Sequence, residues 1–217
     1  MQNVCSENGS NLSLDAEALR MVFKAQSILL EKLVSAARPP YEPEAIKLIL
    51  HEATEISLKL TDAEHGSLIV FDSDGKVSQS ILPRCTLETG HQTDLVERVL
   101  EDGLAGWVVR NHQIGLVQDT DTDARWLKMP DQPYAAGSAL CLPIISAEML
   151  LGVLTLAHST PGYFKPKIVE PMRILTNQLA LIIENAKLFE NLSDSLGALG
   201  ASQQQCDIVS RSLTEEM

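Results

Sequence analysis

The sequence predicts an α+β fold, in which helices flank strands that are joined by hairpins. Three observations lead to this prediction. Helical apolar spacing occupies both ends of the chain, Asp74-Gly75 separates two runs with strand character, and two strongly apolar runs at 138–145 and 150–158 follow one another closely. Asp-Gly between apolar runs is a strong hairpin signal, and apolar runs of this length are typical of buried strands.

Length and charge limit the classes of protein that the chain can represent. Its 217 residues are enough for one well-buried domain with helical extensions, and its net charge of −12 repels phosphate backbones and anionic lipid surfaces. The polar N-terminus and the absence of an apolar run of ~18 residues predict neither a signal peptide nor a membrane span. We therefore expect a cytoplasmic protein without nucleic-acid or membrane partners. The dispersed cysteines predict reduced thiols: Cys5, Cys85, Cys141 and Cys206.

Residues 1–42 are predicted to form an N-terminal amphipathic helix and a linker. Asn11 or Ser13 can cap this helix, and Pro39-Pro40 ends it. Its apolar residues follow the alternating four-three spacing of a heptad, which indicates pairing with another helix. These residues are Leu12, Ala16, Leu19, Phe23, Leu30, Leu33 and Ala37, with Gln26 as the polar member.

A second helix is predicted to begin at Pro43, since proline suits the first helical position. Its single apolar stripe should pack on a sheet. That sheet is predicted to begin with a strand at 67–71, to turn at 72–75 and to return at 77–82. The aspartates of the turn are expected to serve the turn rather than a metal. The stripe consists of Ile46, Ile49, Leu50, Ala53, Ile56 and Leu60.

The middle of the chain is predicted to alternate short helices, glycine turns and strands. A short helix spans 95–100, Gly103 and Gly106 interrupt the chain, and a helical piece then carries Trp107. A strand near 114–117 precedes a polar loop at 119–133. The following hairpin, 138–145 with 150–158, should be buried on both faces.

The C-terminal part is predicted to form a long helix from Pro166 to Leu192, followed by a helical connector at 193–217. Its apolar residues keep one four-three register, which predicts a partner helix. Gly197 and Gly200 weaken the connector. The end at Met217 is expected to be the cut end of a longer signalling protein, with a natural frayed terminus as the alternative. The register contains Leu175, Ile182, Phe189, Leu192, Leu196, Leu199, Cys206 and Leu213.

Five short segments, in this order, resemble a GAF domain, a small-ligand sensor module common in bacterial signalling proteins. The resemblance covers roughly 45–192, and the domain is expected to span 43–192. The segments are Leu60-Thr-Asp-Ala-Glu-His-Gly-Ser67, Gly103-Leu-Ala-Gly106, Asp119 with Asp123-Ala-Arg125, Leu142-Pro-Ile144 and Gly152-Val-Leu154.

The resemblance implies a central antiparallel sheet with the long N- and C-terminal helices on one face. Short helices and ligand-pocket loops cover the other face. It also implies a homodimer through the N- and C-terminal helices, which passes a signal along a coiled-coil exit helix to an output domain. Such a domain is a histidine kinase of a two-component system, a cyclase or a diguanylate cyclase.

The sequence names no cofactor, and the ligand types of similar GAF domains match it incompletely. Cyclic-nucleotide binders carry an Asn-Lys pair where His158-Ser159 stand and an acidic pair where Ile168-Val169 stand; only Phe164 is kept. Bilin and haem binders need a cysteine or a histidine in a loop that here reads 127–134 without either. Asp119, Asp121 and Asp123 alternate as in a calcium loop, but Ala124 and Pro130 replace the required Gly and Glu. Turn and salt-bridge roles with Arg125 are the alternative.

The enzymatic branch of the resemblance, free methionine sulfoxide reductase, exchanges thiols among nearby cysteines, one of them inside the glycine turn, where this chain has Ala105. Cys141 is expected to be a core residue, and Cys85 is the more exposed thiol. We therefore predict a sensor and not an enzyme. The alternatives are a ligand-free dimerisation module and a thiol-dependent reductase. The predicted residues of an unidentified small-molecule site are Trp107, Asp119, Arg125, Trp126, Tyr134, Cys141 and His158.

Overall fold

The structure, a computed structural model, describes residues 43–83, 89–128 and 134–188, with the single residues Arg20, Phe23, Ser27, Glu31 and Ser195. Most of the predicted N-terminal helix and of the 193–217 connector lies outside the described residues. So do Cys5, Cys85 and Cys206.

Within the described residues the chain forms one five-stranded sheet and four α-helices. The elements are α1 (Pro43–Thr61), β1 (His65–Phe71), β2 (Val77–Ile81), α2 (Thr89–Glu101), α3 (Leu104–Asn111), β3 (Gly115–Val117), β4 (Ser138–Ser146), β5 (Met149–His158), a 3₁₀ turn (Pro166–Ile168) and α4 (169–188). Each predicted strand and helix in these ranges is present; the strand ends differ by one or two residues, whereas the helix predicted at 95–100 begins six residues earlier, at Thr89. The α+β prediction is confirmed.

The sheet is antiparallel throughout, in the order β2-β1-β5-β4-β3. The β1–β2 turn places Gly75 at a φ of 78°, which glycine adopts without strain. Asp72 accepts hydrogen bonds at its Oδ1 from the backbone N–H groups of Asp74 and Lys76, both at 2.9 Å. This aspartate serves the turn, as predicted.

One face of the sheet, the helix face, packs against α1 and α4. The predicted stripe of α1 is confirmed, because Ile46, Ile49, Leu50 and Ala53 are buried there. Leu175 and Ile182 of α4 are also buried in this core. The predicted contact with a partner helix is therefore wrong for these first two residues of the four-three register, because they face the chain's own sheet. The later members of this register lie outside the described residues.

The opposite face, the loop face, carries the shorter helices. Val108 of α3 and Val96 of α2 pack with Ile69, Phe71 and Val153 of the sheet. Trp107 and Trp126 lie partly buried at the edge of this second core. Strands β4 and β5 are thus covered on both faces, which confirms the prediction drawn from their apolar runs.

The burial of β5 predicts a large difference between two truncations on this strand. Leu154→Ala removes a side chain with no exposed surface and should lower the free energy of unfolding by about 2–5 kcal/mol, because it leaves a cavity. Met149→Ala, at a side chain that is 59% exposed, should change it by less than about 0.5 kcal/mol. Urea unfolding measures both, and equal effects would contradict the packing described.

Candidate functional site

The loop face has a floor of small side chains that runs across four strands. Ser67 pairs with Thr155, Thr155 pairs with Cys141, and Cys141 pairs with Gly115. Since side chains alternate between faces, these residues share the face that carries Ile69 and Val153. Ser67 and Thr155 are partly exposed although they lie on β1 and β5, in the interior of the sheet. The floor is therefore open above these two hydroxyl groups.

An aromatic stack forms one wall above this floor. Tyr134 stacks on His65, with ring centroids 4.1 Å apart and planes inclined by 16°. His65 begins β1 two residues before Ser67, so it projects from the same face. The predicted site residue Tyr134 is thus placed beside the floor, on a histidine that sequence reasoning did not select.

A second wall is built by Arg125, which ties the loop to the sheet and to α3. Its Nε and Nη2 donate to the two carboxylate oxygens of Asp123, at 2.9 and 2.7 Å, and Nη2 also donates to the carbonyl of Leu116 at 3.2 Å. Its Cζ lies 4.8 Å from the centroid of the Trp107 ring, which is a cation–π contact. We call Trp107, Asp123 and Arg125 the arginine cluster.

The ion pair of the arginine cluster shifts the acidity of both partners. The hydrogen bonds from the Arg125 guanidinium are the main reason why the pKa of Asp123 lies below its ordinary value, against a smaller opposing effect of burial. The same contact raises the pKa of Arg125. The pair is therefore charged at neutral pH and holds the loop in one geometry.

A cleft of about 380 Å³ lies along the loop that carries the arginine cluster. Trp126 and Asp102 contribute to its walls. Asp119 shapes this loop, because its Oδ1 accepts the backbone N–H of Asp121 at 2.8 Å. Of the predicted residues, Trp126 lines this cleft, Trp107 and Arg125 contact one another in the arginine cluster, and Asp119 accepts the backbone N–H of Asp123 in the same loop.

The two remaining predicted residues lie in different surroundings. Cys141 has no exposed surface, and its Sγ is 3.2 Å from Oγ1 of Thr155; burial raises the pKa of this thiol to about 12. It is part of the floor, between Thr155 and Gly115, and is a protonated thiol at neutral pH. Burial therefore disfavours a thiolate at this position.

His158 projects from the helix face, away from the loops. It follows Leu154 and Leu156 at a spacing of two residues on β5, so it shares their face. It stacks on Tyr163 with ring centroids 3.6 Å apart. Its Nδ1 accepts the backbone N–H of Thr160 at 3.0 Å. The structure therefore does not bring His158 to the site on the loop face. Its ring packs against Tyr163 on the helix face instead.

The aspartates of the loop are each engaged by the protein. Besides Asp119, Asp121 pairs with Lys128 at 2.7 Å and Asp123 pairs with Arg125. Among the residues that the structure describes, no group of three or more His, Cys, Asp or Glu side chains could hold a metal ion. The turn and salt-bridge roles expected as the alternative to calcium are present.

The residues that sequence reasoning missed are His65, Ser67 and Thr155. A period-two signal was available, because apolar Ile69 and Phe71 occupy the same face as His65 and Ser67. Only the register between β1 and β5 shows that Ser67 and Thr155 are neighbours.

Residues 42–184 match the sequence profile of the GAF domain. Because this match covers most of the chain, the protein belongs to the GAF domain family. Among curated proteins, no relative matches the chain.

Solved structures with this fold include regulatory domains and enzymes. The GAF domain of a phosphoenolpyruvate-protein phosphotransferase from Coxiella burnetii is 17% identical, with a TM-score of 0.58 over 80% of this chain and 98% of that one. Free methionine-R-sulfoxide reductase from Neisseria meningitidis is 13% identical, with a TM-score of 0.58 over 80% and 92%. The GAF domain of a protein assigned as a sensor histidine kinase from Pseudomonas syringae pv. tomato is 19% identical, with a TM-score of 0.52 over 85% and 99%. At these identities the likeness establishes the fold alone.

No helix within the described ranges has the length and apolar character needed to cross a bilayer.

The arginine cluster predicts a stability contribution that depends on pH. Asp123→Asn should lower the free energy of unfolding by up to about 1 kcal/mol at neutral pH, because it removes the charge opposite Arg125. The folded-state pKa of Asp123 is below its ordinary value of 3.8, so the contribution is complete well above pH 3.8 and is lost as the pH falls through the lowered pKa. Urea unfolding of both proteins from neutral to acidic pH measures the difference.

Asp121→Asn is the control, since the Asp121 side chain is 82% exposed and should matter little. A difference between parent and Asp123→Asn that grows in acid would contradict the assignment.

Proposed function

We propose that this GAF domain is a regulatory small-molecule sensor and a dimerisation module of a cytoplasmic signalling protein. The observation that carries the proposal is the open floor of the loop face. Interior strands normally bury their side chains, yet Ser67 and Thr155 remain partly exposed between the Tyr134–His65 stack and the arginine cluster. Exposed hydroxyl groups beside aromatic side chains are the kinds of groups that line small-ligand sites.

The chemistry of the site supports recognition and gives no support to catalysis. Two hydroxyl groups can donate and accept hydrogen bonds, and aromatic rings and a guanidinium offer flat contact surfaces. The only cysteine among the described residues, Cys141, is a buried, protonated thiol. Sulfoxide reduction of the kind named for the Neisseria meningitidis neighbour would need another thiol.

A ligand-free structural module is the second candidate function. It is favoured by the apolar filling of the rest of the loop face, where Ile69, Phe71, Val108 and Val153 are buried together. The two candidates differ in whether a small molecule binds above Ser67 and Thr155.

The sensor proposal predicts that the protein binds a small molecule above its floor. The full chain should release a compound on denaturation, detectable by mass spectrometry, and this compound should raise the melting temperature of the stripped protein. Ser67→Leu should abolish that rise, because the larger side chain fills the floor, whereas the surface change Met149→Leu should preserve it. Absence of any compound that stabilises the stripped protein would favour the ligand-free module.

The dimerisation proposal rests on apolar residues that remain exposed on the outer side of the helices. Leu48 of α1 is 61% exposed, and Leu181 and Leu188 of α4 are 49% and 65% exposed. Leu181 and Leu188 are seven residues apart and therefore lie on one side of α4. We infer that a second copy covers them, and that α4 continues the signal to an output domain such as a histidine kinase. The net charge of −12 argues against nucleic-acid and membrane partners.

Leu181→Glu should weaken this dimer, because it places a charge in an apolar helix contact. Light scattering of the full chain at micromolar concentration should show a dimer for the parent and a shift toward monomer for the variant. Met149→Glu makes the same kind of change at another exposed apolar residue and should leave the dimer intact. A parent chain that is monomeric at this concentration would refute the proposal.

A further inference from the structure

A second cavity lies on the helix face, opposite the loop site. It is bordered by α1, α4 and the β1–β2 hairpin, is partly open to solvent and has a volume of about 350 Å³, which is within the ordinary range of small-ligand sites. We call it the helix-side cavity. Its lining residues that matter here are Leu50, Val70, Ile183 and Ala186, which are buried and apolar, and Asp72, Gln79 and Lys187, which are polar.

The Gln79 side chain leaves a hydrogen-bonding atom unused in this cavity wall. Its Oε1 is buried and has no hydrogen-bond partner. Rotation of the amide by half a turn would exchange oxygen for nitrogen and would bury a donor in place of an acceptor. Either way one polar atom of Gln79 is desolvated without compensation, which is costly unless a bound molecule supplies the partner.

Two opposite charges border the same cavity. Lys187, in the last described turn of α4, makes no ion pair with any residue that the structure describes. Asp72, whose Oδ1 accepts the two backbone N–H groups of the hairpin turn, places its carboxylate at the border of the same cavity. A guest is therefore offered a cation on one side, a carboxylate and an amide oxygen on another, and aliphatic side chains between them.

We propose that the helix-side cavity binds a small zwitterion with an aliphatic body, the chemistry of an apolar amino acid. Its carboxylate pairs with Lys187, its ammonium donates to Gln79 Oε1 and to Asp72, and its side chain contacts Leu50, Val70 and Ile183. This site is separate from the loop site, since the sheet lies between them. It touches α4 directly, so its occupancy acts on the helix that leads out of the domain.

Leucine is the probe that tests this proposal. The full chain is titrated with L-leucine by isothermal titration calorimetry, alongside 4-methylpentanoate, which lacks the ammonium, and 3-methylbutylamine, which lacks the carboxylate. Leucine should bind, and each analogue should bind at least about tenfold more weakly, because it forgoes one charge-assisted contact. Equal binding of leucine and either analogue would overturn the assignment of that charged contact and with it the proposal.

Variants on the two faces of the sheet assign the site. Ala186→Leu fills the helix-side cavity and should abolish leucine binding without lowering the melting temperature, because it adds apolar contacts. Lys187→Ala should weaken binding by about tenfold, while Lys167→Ala, at an exposed lysine away from the cavity, should not. Ser67→Leu, which fills the loop site, should leave leucine binding unchanged.

Gln79→Leu provides a readout that a structural role would not give. It removes the uncompensated amide, so the unliganded protein should melt at a higher temperature while leucine binds more weakly. A Gln79→Leu protein that binds leucine as tightly as the parent overturns the proposal. So does loss of binding through Ser67→Leu, which would move leucine to the loop site and support only the proposed sensor function, or absence of binding by the parent chain.

Discussion

The fold depends on strand β5 being surrounded on every side. β1 and β4 pair with its two edges, Leu154 and Leu156 are buried on the helix face, and Val153 is buried on the loop face. The middle of this strand, residues 151–157, has almost no solvent-facing side, so it is nearly all apolar. Thr155 is the polar residue in this middle part of β5. Its hydroxyl stands where packing leaves the loop face open.

The two faces of the sheet differ in the size of the side chains that cover them. The helix face fills with large aliphatic side chains from α1 and α4, whereas the middle of the loop face carries Ser67, Thr155 and Cys141. Ser67 and Thr155 remain partly exposed on this face, whereas at the β3 end the Leu104 and Val108 side chains of α3 pack directly over Gly115. The arginine cluster is fixed beside that end, because Arg125 is held at once by Asp123, by the Leu116 carbonyl and by the Trp107 ring.

The sequence predicted elements well and contacts less well, for physical reasons. Hairpins and amphipathic helices depend on neighbours along the chain, so Asp72 and Gly75 or the α1 stripe could be assigned from spacing alone. A partner-helix contact was wrongly predicted for Leu175 and Ile182. Over four or five helical turns, the apolar stripe of a sheet-packed helix and that of a coiled coil differ in direction around the helix by only a few tens of degrees. The core of the chain's own sheet buries Leu175 and Ile182 first.

The candidate site shows the same division between local and tertiary information. Trp107 and Arg125 were selected separately, and only the folded chain shows that they touch. His158 was expected at the site but lies on the helix face, whereas His65, which was not expected there, lies beside the floor. The face on which a strand residue lies depends on its register with the neighbouring strand. Ser67 and Thr155 form a floor only through the β1–β5 pairing, which no spacing along the chain reveals.

Helix α4 is the element through which the two faces can influence one another. Thr155 lies on the loop face, the next residue, Leu156, packs in the helix-face core that includes α4, and Ile183 of α4 lines the helix-side cavity. A guest on either face changes the equilibrium of α4 only if it binds two positions of that helix with different affinity. If both guests do so, thermodynamic linkage makes their coupling reciprocal: each guest changes the affinity of the protein for the other guest by the same factor. A single layer of β-strands separates the two proposed sites, since Thr155 and Leu156 are consecutive residues of one strand that pairs on both edges.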